Sequence, residues 1–444
     1  MLLRNFYFAI PLGFCIFAVC TMIQYKRYIL PNGLTLIVHE DHDTPLATIN
    51  ILYNVGARNE NPSRTGFAHL FEHLMFGGTE QVPDFDQVVN GMGGESNAFT
   101  NNDITNYYQT VPSQHLETAL WIEADRMRKL DFSPKSLAVQ QSVVTEEYNQ
   151  RYVNQPYGDV WLLLRPLCYK VHPYRWCTIG MDIRHVQEAT IEDVEAFFYR
   201  YYRPSNAIMA VAGNVEAEEV LRLVEKHFGD IGGEGLGREV CDLAPEPDME
   251  GPRRMEVERD VPATALYKAY LMGDRLSGEY YVCDMLSDVL SNGKSSRMYN
   301  ELVKRRGLFS ELDAYITGDR DRGLFVVSGK PADGVDVAEA EQAIEEELER
   351  IKREPVSDYE LQKVKNKYEN TFVYGQYKVA ERAMSLCYYE WIGHIDWVND
   401  EPELYKKTTA DDLMRVAAKI LDRERCATLV VRAKGGNNQS EKEQ

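Results

Sequence analysis

Between Thr65 and Gly78 the chain reads Thr-Gly-Phe-Ala-His-Leu-Phe-Glu-His-Leu-Met-Phe-Gly-Gly, and this stretch constrains the fold more than any other. Phe67, Leu70, Phe71, Leu74 and Met75 recur at helical spacing, which predicts one short, mostly buried helix. Thr65 offers an N-cap hydroxyl, and Gly77 and Gly78 end the pattern.

Residues four apart on a helix lie one above the other, so His69 and His73 present two imidazoles to one point in space. Two nitrogens leave room for a third protein ligand and a water, the arrangement of a catalytic rather than a structural zinc site. Glu72 is three residues from His69 and adjacent to His73, placed to take a proton from that water as general base without binding the metal. The plainer account is a core helix whose histidines are satisfied by hydrogen bonds. It suits a lone histidine, but here three residues coincide in the HxxEH order, the inverted form of the HExxH metallopeptidase motif.

The two histidines need an oxygen ligand from elsewhere. Val143-Val-Thr-Glu146-Glu147-Tyr supplies adjacent carboxylates on an apolar run with helical spacing. Neighbours on a helix point about a hundred degrees apart, so only one of Glu146 and Glu147 faces a metal, and spacing does not choose between them.

With 444 residues, 44% hydrophobic and 27% charged, the chain has enough apolar sequence for two or three folded domains. Its formal net charge of −20 argues against nucleic-acid binding. Residues 1–24 stand apart: Phe6 to Ile23 is almost wholly apolar and would extend about 27 Å as a helix, so this segment is expected to be a signal peptide or a membrane anchor. Either makes the remainder an exported chain. Beyond this leader six cysteines are scattered without CxxC pairing, so they do not read as a thiolate zinc site. Cys168 and Cys177 are either a local disulfide or buried thiols.

Organisation follows from the order of periodic segments. Pro31-Asn32-Gly33 between apolar runs predicts a hairpin, and Pro45 to Val55 a strand leading towards the histidine helix. Helical pattern is expected at 85–91, 115–128, 136–151 and 191–201, with strands at 96–100, 106–111 and a closing one at 208–215. This order predicts an α+β fold with a mainly antiparallel sheet. We divide the chain into a first domain over 25–231, a Gly/Pro/acid-rich linker over 232–255, a second domain over 256–433 and a polar tail over 434–444. The second domain repeats the first in outline. Setting Pro262 on Pro45 without gaps puts Leu286, Val289 and Leu290 where His69, Glu72 and His73 stand, so the second half is expected to keep the helix and lack the metal. Val337 to Ile351 reads as a long helix with its Glu run on a solvated face.

From Tyr28 to Val431 the chain resembles the pitrilysin/insulinase metallopeptidases, family M16, and most closely the short bacterial members. The resemblance rests on His69-x-x-Glu72-His73, Ser96-Asn-Ala-Phe-Thr100, Val143-Val-Thr-Glu-Glu147, Asn154-Gln-Pro-Tyr-Gly158, His172-Pro-Tyr, Tyr202-Arg-Pro-Ser-Asn206 and Lys294-Ser-Ser-Arg297. It implies two homologous α+β domains and a zinc endopeptidase acting on short or unfolded peptides. One zinc per chain would be held by His69, His73 and Glu147, with Glu72 as general base. By the same resemblance Asn97, Ala98 and Phe99 form a strand edge that pairs with substrate backbone, and Phe76 lines the pocket beside the scissile bond. Two departures stand out. Gln140 replaces a glutamate that supports the site in the family, and Val303 and Ser310 occupy the positions of an arginine and a tyrosine that meet the substrate. The resemblance therefore implies a clamshell dimer, either with a second M16-like chain that supplies the Arg/Tyr pair or with a second copy, in the periplasm or anchored facing it. The alternative is a non-catalytic scaffold subunit of the same fold.

Overall fold

The computed structural model describes residues 22–434 apart from Glu234. The apolar leader and the polar tail assigned from sequence therefore lie, but for their inner ends, outside the described residues. No helix among the described residues is long and apolar enough to cross a membrane.

Eleven strands among these residues build two sheets. The first contains β1 (Lys26–Ile29), β2 (Thr35–Glu40), β3 (Leu46–Tyr53), β4 (Glu95–Thr100), β5 (Thr105–Pro112) and β6 (Ala207–Gly213), in the order β1-β2-β6-β3-β5-β4. The second contains β7 (Arg253–Arg259), β8 (Ala265–Leu271), β9 (Phe309–Ile316), β10 (Leu324–Pro331) and β11 (Cys426–Ala433), in the order β7-β11-β8-β10-β9. Each sheet is antiparallel except for one parallel pair, β2 with β6 and β7 with β11. Two sheets of the same plan, each packed with helices, are the α+β architecture expected from sequence. The hairpin forms at Pro31-Asn32-Gly33, where Gly33 has a φ of +87°, and Asn32 is buried with its amide donating to the carbonyls of Phe228 and Ile231.

The first sheet is followed or interrupted by α1 (Phe67–Leu74), α2 (Phe85–Gly91), α3 (Leu116–Arg128), α4 (Pro134–Tyr148), α5 (Val160–Cys168), α6 (Arg184–Gln187), α7 (Ile191–Tyr201) and α8 (Ala217–Phe228). The second carries α9 (Glu279–Ser291), α10 (Val337–Ile351), α11 (Asp358–Gly375), α12 (Val379–Trp391), α13 (Trp397–Lys406) and α14 (Ala410–Ile420). Leu286, Val289 and Leu290 lie in α9 and are fully buried, so the counterpart of the histidine helix serves only as core.

The helices do not stay with their own halves. Val379, Ala383, Leu386, Cys387 and Trp391 of α12 pack on Ile37, Leu52, Ile208 and Ala210 of the first sheet. In return, Val160, Leu164 and Cys168 of α5 pack on Ala269, Leu324, Val326, Leu429 and Val431 of the second. This exchange explains why β3 and β6 read as nearly continuous apolar runs rather than alternating ones: both faces are covered, one by α1 and its neighbours and the other by α12. The crossing to α5 runs through the Asn154–Gly158 turn. There Tyr157 adopts a φ of +62°, and its hydroxyl bonds both the carbonyl (2.6 Å) and the amide (3.1 Å) of Ala263 in the second half.

One local expectation is corrected, and one open alternative is decided. The glutamate run of α10 is not uniformly solvated: Glu345 and Glu347 are buried. Glu345 lies 2.8 Å from the buried Lys268 and Glu347 lies 3.0 Å from Arg350, so cationic partners let these carboxylates enter the core. Cys168 and Cys177 are buried free thiols with no bridge between them.

Candidate metal centre

The histidine helix α1 starts differently from the sequence expectation. Thr65 does not cap it. The Thr65 hydroxyl pairs with His185 Nδ1 at 2.8 Å and accepts from the Met181 amide. Gly66 takes the N-cap position with a φ of +89°, where a Cβ would sit 2.7 Å from the Ile179 carbonyl oxygen, so glycine is required for both conformation and space. The open amides are met instead by the buried carboxylate of Glu60, which accepts from Gly66 N and Ala68 N at 2.9 Å each. A carboxylate at a helix N-terminus also suits the helix dipole. Burial nonetheless raises the Glu60 pKa to about 8, because this site is closed to water. No sequence pattern signals this role, since Glu60 lies in a loop seven residues before the helix.

His69 and His73 face one side of α1, their rings edge to face with centroids 4.9 Å apart. Helix α4 packs on α1 and brings Glu147 between them. One carboxylate oxygen is 3.6 Å from His69 Nε2 and the other 3.2 Å from His73 Nε2. Glu146 points away, is exposed, and accepts from the Gln150 amide. The helix thus resolves the pair that spacing left open.

Three donor atoms converge within 4.8 Å of one another, two imidazole nitrogens and one carboxylate oxygen. This set suits zinc, and the two Glu147–histidine distances of 3.6 and 3.2 Å are near the roughly 3.3 Å between ligands of a tetrahedral ion with ~2.0–2.1 Å bonds. The protonation states suit it as well. Burial lowers the His69 pKa to about 4, leaving a neutral ring able to donate its lone pair. The Glu147 pKa is lowered, first by its hydrogen bond from His73, so the carboxylate is charged. His69 Nδ1 is buried and has no hydrogen-bond partner among the described residues. Arg151, one turn after Glu147, holds the same carboxylate at 2.6 Å and is an orienting partner that the sequence reading did not identify.

Glu72 lies on the same short helix, partly buried. Burial raises its pKa, with Thr100 at the end of β4 acting in the opposite direction. Strand β4 is the terminal strand of its sheet, so one backbone edge is unpaired. In its register Ala98 pairs with Tyr107, whose hydroxyl reaches the Phe71 carbonyl of α1, so Ala98 faces the histidine helix. Asn97 and Phe99 face the other way, and Phe99 is 39% exposed rather than part of the core. Phe76 is partly buried. Its ring meets Phe85 edge to face, and the guanidinium of the buried Arg126 stands 5.6 Å from its centroid. Gln140 of α4 lies near Gly77, just past the end of α1. Val303 packs against the second core and Ser310 is exposed, its hydroxyl donating to the Lys330 carbonyl, so neither position presents a charged or phenolic donor.

The fold and this cluster define a zinc-metallopeptidase-like chain whose metal-competent group, among the described residues, lies in the first half. Comparison with known proteins gives the same class. A profile described as insulinase (peptidase family M16) matches residues 35–159, and one described as the peptidase M16 inactive domain matches residues 188–368. The chain belongs to the M16 peptidase family. Among its relatives, the zinc protease PqqE of Helicobacter pylori is 29% identical over 415 residues, covering 92% of this chain and 93% of that one. The uncharacterized zinc protease YmxG of Bacillus subtilis is 26% identical, covering 78% and 83%. Among solved structures, a protease from Helicobacter pylori superposes with a TM-score of 0.85 at 27% identity, covering 92% of this chain and all of the other. The first half of the periplasmic protease PqqL of Escherichia coli shares the fold, with a TM-score of 0.74 at 18% identity and coverage of 93% and 92%.

Proposed function

We propose that this chain is a zinc-dependent endopeptidase for short or unfolded peptides, and the observation that carries the reading is the convergence of His69, His73 and Glu147 beside Glu72. One zinc held by those three side chains would supply Lewis acidity, acidifying a water and polarising the scissile carbonyl. The rest falls to the chain itself. Glu72, made more basic by burial, takes the proton of the attacking water and returns it to the leaving amine nitrogen. The open edge of β4 at Asn97, Ala98 and Phe99 pairs with the substrate backbone, fixing a peptide in extended form across the site. Phe76 offers an apolar wall to one substrate side chain. Val303 and Ser310 leave the transition-state donors missing, which favours a two-chain clamshell in which a second M16-like chain closes over the site and supplies them. The apolar stretch from Phe6 to Ile23 supports a site of action outside the cytoplasm, in the periplasm or anchored facing it.

The test is metal analysis beside peptide cleavage. Glu72→Gln should keep about one zinc per chain and lose cleavage, whereas His73→Ala should lose both. Release of zinc by Glu72→Gln would mean that Glu72 is a ligand and not the base.

A further inference from the structure

A cavity of about 340 Å³ lies where the two halves meet, and none of its lining residues belongs to the metal centre. Asn54 and Arg58 come from the first half, residues 238–243 from the connecting segment, Arg320 and Asp321 from the turn before β10, and Trp391 from the end of α12. Three arginines meet here. The guanidinium of Arg320 stands 4.9 Å from the Trp391 ring centroid and that of Arg58 5.9 Å from the same ring. Arg58 is 7% exposed, and its Nε has no hydrogen-bond partner among the described residues.

The carboxylates that line the cavity, Asp242 apart, are already engaged. Asp321 serves Arg58 at 3.0 Å and His172 at 3.2 Å, and Glu239 is held by Arg200 and Arg203. Asp103 accepts from the Tyr174 hydroxyl and the Arg320 amide and lies 3.4 Å from Arg58. Glu390 is bonded by Arg27, and Asp242 is exposed to solvent. The guanidinium groups of Arg238 and Arg320 make no hydrogen bond and no close ion pair among the described residues; Glu390 attracts Arg238 only through space, and burial outweighs it and lowers the Arg238 pKa. Partly buried charges are ordinarily paired, and a guanidinium fork matches the two oxygens of a carboxylate or phosphate.

We propose that this cavity is a binding site for a small oxyanion, the carboxylate or phosphate group of a low-molecular-weight ligand, held by Arg238 and Arg320 with Arg58 and the Trp391 face as its floor. A ligand there touches both halves and the segment joining them, so its binding stabilises their association by mass action. The inference is independent of the peptidase reading, since it uses none of the metal-centre residues.

Cys241 lines the same cavity and is partly accessible, while the other five described cysteines are buried, so its alkylation reports on this site alone. The full chain would be treated with iodoacetamide, and labelling of Cys241 followed by peptide mass spectrometry. Inorganic phosphate and citrate would be titrated in separate arms against chloride at constant ionic strength. We expect at least one anion to slow Cys241 labelling saturably, by fivefold or more, and to raise Tm. Protection by phosphate alone or citrate alone names the preferred group. Arg238→Ala and Arg320→Ala should each weaken the half-saturating concentration at least tenfold with unchanged circular dichroism. Labelling of the unmutated chain that neither anion slows, or protection that persists in the double variant, overturns the proposal.

Discussion

Leu386→Ala tests the most consequential feature of the fold, the covering of the first sheet by a helix from the second half. Leu386 is fully buried in α12 against Ile37, Leu52, Ile208 and Ala210. Removing its three outer carbons without collapse of the pocket costs about 2–5 kcal/mol, and we take ~3 kcal/mol. A chain of 444 residues exposes much surface on unfolding, so with an m-value above ~3 kcal/mol/M in urea the midpoint falls by up to about 1 M. The location of the loss is the sharper readout. If α12 is part of the first sheet's core, ~3 kcal/mol lowers amide protection about a hundredfold in β3 and β6, since 1.4 kcal/mol is tenfold. Hydrogen exchange followed by mass spectrometry reads those strands directly. Leu164→Ala in α5 should act in mirror image, lowering protection in β8, β10 and β11. Loss of protection confined to α12 in Leu386→Ala, with β3 and β6 unchanged, would refute the argument that the two halves share their cores.

Glu147→Gln should weaken zinc binding strongly and Glu146→Gln hardly at all, because only Glu147 lies between the two imidazoles; chelator titration of both variants checks this, and the reverse order would displace Glu147 as ligand. Glu60 gives a pH dependence: its folded pKa of about 8 lies above the ordinary value of 4.5, so the folded state keeps a proton that the unfolded state releases. Its contribution is fully present below pH 4.5 and is lost as pH rises through 8, and Glu60→Gln should flatten that part of the Tm–pH curve; an unchanged slope between pH 5 and 8.5 would count against it. The isolated chain should cleave a quenched fluorescent peptide ~10²–10³ times more slowly than the chain mixed with an M16-like partner bearing the Arg/Tyr pair, at equal zinc occupancy; full activity alone, unmoved by the partner, would favour a self-sufficient homodimer.

The sequence determined what depends on neighbours along the chain. Helices α2 and α10 fall on the residues their periodicity indicates, the hairpin forms at Asn32-Gly33, and the four-residue spacing of His69 and His73 points both rings one way because a helix repeats every 3.6 residues. Local pattern cannot specify which distant group arrives. Glu146 and Glu147 are chemically identical, and only the rotation of α4 against α1 turns Glu147 to the histidines. Thr65 carries the hydroxyl of an ordinary N-cap, yet Glu60 reaches the open amides because the loop folds back over the helix start. Glu345 and Glu347 look like solvated charges until Lys268 and Arg350 are brought against them. The exchange of α5 and α12 was the least legible, since an apolar helix face states that it must be buried and not which sheet will bury it; that choice was made by where the long connections return.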